Sequence, residues 1–340
     1  MKIKQAIQAL RPYQVNDLQA DIILNANETK NYLFDKGITL DFNTSKYPNT
    51  FADSLRESLS KQYALAPENF VLGNGSTELL EILVKTFSEK NDTVLTFSPT
   101  FSMYQIYAQI HEVKYETIPL HSDMTLSIQT LIEADDKLKP SIIFVCNPNN
   151  PTGTLIPKED IIQLLNNTQA LVVVDEAYME FADEQESLVA EIGTYDNLII
   201  ARTFSKAYGL AGLRIGYMIG NTQLIDTLFK VKLPYSLNQA SIQYGLKALS
   251  KTTQVKQFIR NLIKERDILY NQLKALDLTV YPSSTNFLYI KANQPLDALL
   301  LKKGILIRSF NNGYYRITIG NATENQRVIQ ALKEVYHETK

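Results

Sequence analysis

Short runs of apolar, often β-branched residues alternate along most of the chain with longer segments in which apolar residues recur at helical spacing. This alternation is typical of parallel strands joined by crossover helices. It predicts strands at about Phe70–Leu72, Thr93–Phe97, Ser141–Val145, Ala170–Val174, Leu198–Ala201 and Ile215–Ile219. Helices are predicted at Phe51–Ala64, Thr77–Ser88, Phe101–Ile110 and Lys158–Asn166. Together these elements predict one doubly wound α/β domain.

The pattern that follows predicts a second, smaller domain. A long helical stretch runs from about Gln239 to Leu276, and the β-branched pair Thr252 and Thr253 predicts a break or bend inside it. An α+β unit is then indicated by Thr285–Ile290, Tyr314–Ile319 and Thr323–Glu338. The predicted fold class is α/β, with a mostly parallel central sheet in a large domain, residues 46–245, and a smaller α+β domain, residues 246–340. Residues 1–45 are expected to pack with the smaller domain.

Composition agrees with two domains and narrows the possible partners. A chain of 340 residues, 45% of them hydrophobic, exceeds what one compact core usually accommodates. A net charge of -2 gives no electrostatic reason to expect nucleic acid or an anionic membrane as partner. No apolar run approaches the roughly 20 residues of a membrane span, and the start of the chain lacks the apolar core of a secretory signal. We therefore expect a cytoplasmic protein.

Cysteine and histidine are too few to suggest metal or disulfide chemistry. Cys146 is the only cysteine, and His111, His121 and His337 stand at no metal-ligand spacing. A thiolate metal cluster and a Ser-His-Asp arrangement are both unexpected on these grounds.

Polar residues that directly follow predicted strands are the candidates for chemistry, because open α/β sheets bind ligands at the carboxyl ends of their strands. The segment Gly73-Asn-Gly-Ser-Thr-Glu78 leads through glycines into a helix, an arrangement that favours a phosphate. A plain turn in which Ser76 or Thr77 caps the helix is the alternative. The segment lacks the third glycine of a dinucleotide fingerprint and the lysine of a P-loop.

Two further strand ends carry charged groups suited to catalysis. Asp175 closes an apolar strand, and a carboxylate there can pair with a buried cation; a helix N-cap, with Glu176 in the first turn, is the alternative. Lys206 follows another strand among small residues, with Ser205 and Arg214 nearby in sequence. Desolvation or neighbouring positive charge would make this lysine a nucleophile, whereas most lysines are simply exposed on the surface.

A fourth strand end carries a turn rich in asparagine and proline. In Cys146-Asn-Pro-Asn-Asn-Pro-Thr-Gly-Thr154 the prolines restrict the backbone and would hold an asparagine side chain against a ligand. A simple structural turn explains the same residues equally well.

Taken in this order, the segments resemble the fold type I aminotransferases, which depend on pyridoxal phosphate, and in particular the histidinol-phosphate aminotransferase family. Asn-Pro-Thr-Gly at residues 150–153 and Ser-Lys at residues 205–206 are shared across fold type I. More particular to the histidinol-phosphate branch are Arg-Pro-Tyr at 11–13, Pro-Thr-Phe-Ser-Met-Tyr at 99–104 and Arg-Thr-Phe-Ser-Lys-Ala-Tyr-Gly-Leu-Ala-Gly-Leu-Arg-Ile-Gly-Tyr at 202–217.

The resemblance implies a cofactor site for pyridoxal 5'-phosphate. Lys206 would bind the cofactor as an imine and then move the proton, Asp175 would pair with the pyridine nitrogen, and Tyr104 would stack on the ring. Asn150 and Tyr178 would hydrogen-bond the ring hydroxyl. The phosphate would be held by Gly75, Ser76, Thr77, Ser205, Arg214 and Tyr47, the last from a second subunit.

The resemblance also implies a homodimer with shared active sites, acting in histidine biosynthesis with glutamate and 2-oxoglutarate as the second substrate pair. Positions matching those that hold the substrate are Tyr13, Asn25, Tyr47, Arg308 and Arg316. The chain departs from the family at Thr77, where aspartate is usual, at residues 27–30, and in the short segment between Arg308 and Arg316.

These departures leave the substrate open more than the reaction type. An aromatic amino-acid aminotransferase and a threonine-phosphate decarboxylase remain as alternatives. A regulatory module that borrows this fold, and a nicotinamide-dependent dehydrogenase, are disfavoured by the short segment ahead of the glycine loop and by Lys206.

Overall fold

The computed structural model describes residues 3–8, 10, 18–276 and 278–337. Its strands are β1 Ile22–Leu24, β2 Phe70–Asn74, β3 Thr93–Ser98, β4 Lys114–Pro119, β5 Ile142–Cys146, β6 Leu171–Asp175, β7 Leu198–Thr203, β8 Ile215–Gly220, β9 Thr279–Val280, β10 Phe287–Lys291, β11 Ile305–Ser309 and β12 Tyr314–Thr318. Its α-helices are α1 Gln5–Gln8, α2 Asp53–Tyr63, α3 Ser76–Phe87, α4 Met103–Ile110, α5 Ile128–Leu138, α6 Lys158–Asn167, α7 Thr222–Val231, α8 Gln239–Leu249, α9 Thr252–Lys274, α10 Leu296–Leu301 and α11 Ala322–His337.

The larger sheet has seven strands in the order β2-β8-β7-β6-β5-β3-β4. Every pair is parallel except the two that involve β8, which runs antiparallel to both β2 and β7. All residues of β5 and β6 are buried, which explains why these strands read as continuous apolar runs rather than as alternating ones. Because β5, β6 and β7 are parallel neighbours, the polar residues that follow them lie at one edge of the sheet, as the sequence predicts.

The smaller sheet has five strands in the order β1-β11-β12-β10-β9. β1 pairs parallel with β11, with Ile22 opposite Ile305, so a strand from the N-terminal region completes a sheet built by the C-terminal part of the chain. β10 and β12 are antiparallel, and Tyr289 lies opposite Arg316. Because side chains alternate along a strand, Arg316 and Thr318 lie on the same face of this sheet.

The α/β fold with a mostly parallel large sheet and a smaller second unit is confirmed, and so is the break near Thr252, since α8 ends at Leu249 and α9 begins at Thr252. The domain boundaries at 45 and 245 stay a prediction. Several elements were not predicted, among them β4, an edge strand with Lys114 and Glu116 exposed. Polar edge strands lack the apolar signal on which such predictions depend. None of the described helices has an apolar stretch long enough to cross a membrane.

Candidate active site

A cavity of about 480 Å³ lies where the carboxyl ends of β5, β6 and β7 meet the start of α3, the segment after β1, and strands β11 and β12. It brings together most of the residues that the sequence analysis assigned to cofactor or substrate. Those that line it are Asn25, Ser76, Thr77, Asn150, Asp175, Tyr178, Ser205, Lys206, Arg214, Arg308 and Arg316.

The glycine loop forms an anion cradle at the start of α3. Gly75 has φ +81°, a conformation that favours glycine, and a Cβ placed on it would overlap the Arg214 guanidinium. A Cβ on Gly216 would likewise overlap the backbone nitrogen of Ser76. Arg214 Nη2 donates to Thr77 Oγ1 at 3.2 Å, so a guanidinium is held beside the first backbone N–H groups of the helix. Such an arrangement of donors and positive charge binds a phosphate.

Lys206 is the candidate nucleophile. Its Nζ donates to the backbone oxygens of Ala26 and Asn27, at 3.3 Å each. Burial lowers the pKa of Lys206 to about 8, and the positive charges of Arg316 and Arg214 act in the same direction. A lysine with such a pKa has a substantial neutral fraction near neutral pH, which is the form that attacks a carbonyl carbon.

Asp175 is a buried carboxylate held by two donors. Tyr104 Oη donates to Oδ2 at 2.8 Å, and the backbone nitrogen of Ala177 donates to Oδ1 at 3.2 Å. Burial raises the pKa of Asp175 to about 6, although these hydrogen bonds act against the shift. A cation beside it would stabilise its charged form, so the carboxylate is suited to a protonated pyridine nitrogen.

The asparagine-proline turn after β5 contains three asparagines, and their side chains make different contacts. Asn147 holds Ile156 through both of its side-chain atoms, and Asn149 bonds Pro99 and Thr152, so both shape the turn. Only Asn150 lines the cavity. The structural and the ligand-binding interpretations of this turn therefore both apply, to different residues.

Arg316 links this turn to the N-terminal segment. Its Nη1 donates to Asn150 Oδ1, and its Nη2 donates to the backbone oxygen of Asn25 at 2.8 Å. The guanidinium also lies 5.8 Å from the centre of the Phe310 ring, while that of Arg308 lies 6.0 Å from the same ring. Two positively charged groups thus flank one aromatic ring at the small-sheet side of the cavity.

The prediction that Tyr104 stacks on the cofactor ring was wrong, because Tyr104 does not line the cavity. Tyr104 is fully buried behind Asp175, and its ring stacks on Phe144 with centroids 4.4 Å apart. Phe101, which lies just before α4, lines the cavity instead. Both residues belong to the same Pro-Thr-Phe-Ser-Met-Tyr motif, and the packing of α4 on β5 decides which ring reaches the cavity.

The remaining assigned residues stand apart from the cavity. Gly75 packs against the Arg214 guanidinium and does not line the cavity. Tyr47 is 81% exposed and stacks on Tyr235 with centroids 4.7 Å apart. Tyr13 lies outside the described residues. Asn27 and Phe101 line the cavity but were given no role from the sequence. The sequence signals available for them were the Pro-Thr-Phe-Ser-Met-Tyr motif, which contains Phe101, and the departure from the family at residues 27–30, which begins at Asn27.

Comparisons with known proteins agree with this geometry. Residues 15–332 match the model of the family "Aminotransferase class I and II". The chain is 36% identical over 347 residues to a histidinol-phosphate aminotransferase of Caldanaerobacter subterraneus subsp. tengcongensis, which covers 98% of both chains. It is 38% identical over 349 residues to one of Pyrococcus furiosus, which covers 99% of this chain and 98% of the relative.

A solved structure supports the fold. The histidinol-phosphate aminotransferase of Sinorhizobium meliloti in complex with pyridoxal-5'-phosphate superimposes with a TM-score of 0.89 at 23% identity, over 100% of this chain and 98% of that one. The match of residues 15–332 to the family model shows that the chain belongs to the class I and II aminotransferases. The two curated relatives are both histidinol-phosphate aminotransferases and match this chain almost from end to end.

Proposed function

We propose that this chain is a pyridoxal-phosphate-dependent transaminase that transfers the amino group of L-histidinol phosphate to 2-oxoglutarate. The products are imidazole acetol phosphate and L-glutamate, a step of histidine biosynthesis. The observation that carries the proposal is the single cavity that Lys206 shares with Asp175, Arg308 and Arg316. Similarity over nearly the full length to curated histidinol-phosphate aminotransferases supports the choice of substrate.

The cofactor is pyridoxal 5'-phosphate, which supplies a sink for the electrons released at the substrate carbon. The cradle described above suits its phosphate, because it combines an open helix start, a fixed guanidinium and glycines that leave room for close approach. We assign the phosphate to the backbone after Gly75 and to the side chains of Ser76, Thr77, Ser205 and Arg214.

The ring is assigned to the carboxyl-end residues of β5 and β6. Asp175 keeps the ring nitrogen protonated, since a buried carboxylate beside a cation holds the proton on that cation. Asn150 and Tyr178 bind the ring hydroxyl. Phe101 covers a ring face, in place of Tyr104, whose hydroxyl orients Asp175 instead.

Lys206 holds the cofactor covalently and later moves the proton. Its lowered pKa of about 8 suits both tasks, because the amine must be neutral to attack and must accept a proton afterwards. With substrate bound, Nζ would accept the proton released from the substrate carbon and would later return it. The backbone oxygens of Ala26 and Asn27 restrict where Nζ lies between these events.

The substrate end is assigned to Arg308, Arg316 and Asn25, with Tyr13 as a further candidate. A planar guanidinium binds phosphate and carboxylate equally well through paired hydrogen bonds, so the same arginines serve L-histidinol phosphate and glutamate in turn. Arg316 is already oriented by Asn150 and by the backbone of Asn25.

We further propose a homodimer in which Tyr47 of a second copy completes each site. In a single chain Tyr47 does not line the cavity, and it lies with Phe51, Leu233 and Tyr235 among the exposed large hydrophobic residues. Tyr47 stacks on Tyr235, and exposed aromatic side chains of this kind are typical of a protein interface. An equal mixture of Tyr47→Ala and Lys206→Ala subunits, each inactive alone, should recover about one quarter of wild-type activity, because about half of the dimers are hybrids and each hybrid has one complete site of two.

The substrate is tested by comparing kcat/KM for L-histidinol phosphate, L-phenylalanine and O-phospho-L-threonine. We expect L-histidinol phosphate to be preferred at least about tenfold, because its doubly charged phosphate presents more acceptor oxygens to Arg308 and Arg316 than the α-carboxylate of L-phenylalanine does. A higher kcat/KM for L-phenylalanine, or carbon dioxide release from O-phospho-L-threonine, would overturn the assignment. L-histidinol phosphate has no carboxylate, so carbon dioxide distinguishes the decarboxylase directly.

A further inference from the structure

Asn27 lines the cavity, and its side chain has no role in the scheme above. It is 1% exposed and has φ +54°, a left-handed conformation that asparagine tolerates better than most residues. Its backbone nitrogen donates to Thr318 Oγ1 at 3.0 Å. Its backbone oxygen accepts from Lys206 Nζ at 3.3 Å and from Asn286 Nδ2 at 3.1 Å. The main chain is therefore fixed from two sides, independently of the side chain.

Thr318 determines which way the Asn27 amide points. A hydroxyl has a single hydrogen, and Thr318 Oγ1 already accepts from the backbone nitrogen of Asn27. Its own hydrogen is donated to Asn27 Oδ1 at 3.3 Å. The amide oxygen thus faces Thr318, and the amide nitrogen faces Tyr178, with 2.9 Å between Nδ2 and the Tyr178 hydroxyl oxygen.

This orientation determines the role of the Tyr178 hydroxyl. An amide nitrogen has no lone pair to offer, so the Tyr178 oxygen accepts from Asn27 and its hydrogen is directed elsewhere. Within the described part of the chain no group accepts that hydrogen, and Tyr178 lines the cavity. Burial raises the pKa of Tyr178, so the hydrogen stays on the hydroxyl at neutral pH.

Asn150 lines the same cavity and, like Tyr178, has a donor available to a ligand. Its Oδ1 accepts from Arg316 Nη1, which leaves Nδ2 as the atom that donates into the cavity. Two donors directed at one oxygen stabilise the form of that oxygen that has lost its proton. Asn150 and Tyr178 thus both offer donors to a ligand oxygen in the cavity.

We propose that Asn27 and Thr318 are positioning residues that force Tyr178 to donate to the ring hydroxyl oxygen of pyridoxal phosphate and so keep that oxygen deprotonated. This inference rests on the proposed function. It assigns the effect to a hydrogen-bond chain that joins Thr318 of the small sheet to Tyr178 after β6. Neither Asn27 nor Thr318 is expected to touch the substrate.

The test is a pH titration of the visible absorption of pyridoxal phosphate bound to wild-type and variant proteins. Asn27→Asp keeps the shape and tolerates the left-handed conformation, but a carboxylate accepts from Tyr178 and draws its hydrogen away from the ring. We expect the midpoint of the titration to rise by about one pH unit or more, as expected for the loss of one donor to the charged form. Thr318→Val should shift it in the same direction, and Thr318→Ser, which keeps the hydroxyl, should restore the wild-type midpoint.

A double-mutant cycle separates this role from a general structural one. If Asn27 acts through Tyr178, then Asn27→Asp adds no further shift in a Tyr178→Phe background. Additive shifts, or wild-type midpoints in both Asn27→Asp and Thr318→Val, would overturn the proposal. Should Asn27→Asp fail to fold, the Thr318→Val and Thr318→Ser pair decides it. If the wild-type protein itself gives no titrating visible band, the proposed function fails rather than the positioning role.

Discussion

Asp175 and Glu176 are adjacent in the sequence but bind entirely different partners. Asp175 lines the cavity and accepts from Tyr104 Oη at 2.8 Å. Glu176 is fully buried away from it, in an ion pair with Arg202, and it accepts from the backbone nitrogen of Leu188 at 2.8 Å. One carboxylate is thus available to a ligand, whereas the other is part of the structural core.

These two carboxylates give a matched pair of variants. Asp175→Asn should lower kcat by at least about 100-fold, because a neutral amide no longer holds a proton on the ring nitrogen. Glu176→Gln should instead lower the free energy of unfolding by about 2 kcal/mol, since the charge that faces buried Arg202 is lost. Denaturant unfolding and steady-state kinetics of both variants check this. Equal effects of the two changes on kcat would contradict the division of roles.

The glycine cradle predicts a strong effect at Gly216. Gly216→Ala places a Cβ against the backbone nitrogen of Ser76, so the loop that holds the phosphate must shift. We expect the affinity for pyridoxal phosphate to fall at least about tenfold, measured by titration of the apoprotein. Gly193→Ala is the control, because nothing lies within 4 Å of a Cβ at that position. Unchanged affinity in Gly216→Ala would argue against this phosphate site.

Arg316 should govern substrate binding more than cofactor binding. In Arg316→Ala the anionic substrates lose a bidentate partner, so KM for L-histidinol phosphate and for L-glutamate should each rise about 10- to 100-fold. Arg327→Ala is the matched control, because this half-exposed arginine has only a 3.4 Å surface contact with Asp21. Michaelis constants that stay at the wild-type values for both substrates would contradict the assignment of Arg316.

The lowered pKa of Lys206 predicts two pH dependences with the same sign. The neutral amine attacks the cofactor, so the rate at which apoprotein takes up pyridoxal phosphate should rise with pH around 8. Between 8 and 10.5 the unfolded state also holds more protons than the folded state, so this lysine makes the apoprotein more stable as pH rises through that window. Melting temperatures of wild type and Lys206→Met across this range test the second effect. A difference between them that does not change with pH would contradict the lowered pKa.

The sequence predicted the strands of the large sheet because their burial on both faces leaves an unbroken apolar signal. β5 and β6 are examples, and the residues that follow them reach the cavity because parallel strands end at a common edge. The polar edge strand β4 gave no such signal. Local pattern therefore predicted the scaffold and the catalytic edge, but not every element around them.

The side chains that face the cavity and the hydrogen bonds that orient them could not be predicted, because they depend on tertiary packing. Phe101 and Tyr104 are three positions apart, and only the packing of α4 against Phe144 shows which of them faces the cavity. The hydrogen bond between Asn27 and Thr318 joins residues 291 positions apart. A pattern along one sequence does not predict such a pairing, so the role of Asn27 emerged only from the structure.

The transaminase activity can be tested in one step by mixing the purified protein, loaded with pyridoxal phosphate, with L-histidinol phosphate in the absence of any keto acid. We expect the visible band of the lysine-bound cofactor to bleach and 2-oxoglutarate to restore it, with Lys206→Ala lacking the band from the start. A band that stays unchanged with both L-histidinol phosphate and L-glutamate would show that the protein is not this transaminase.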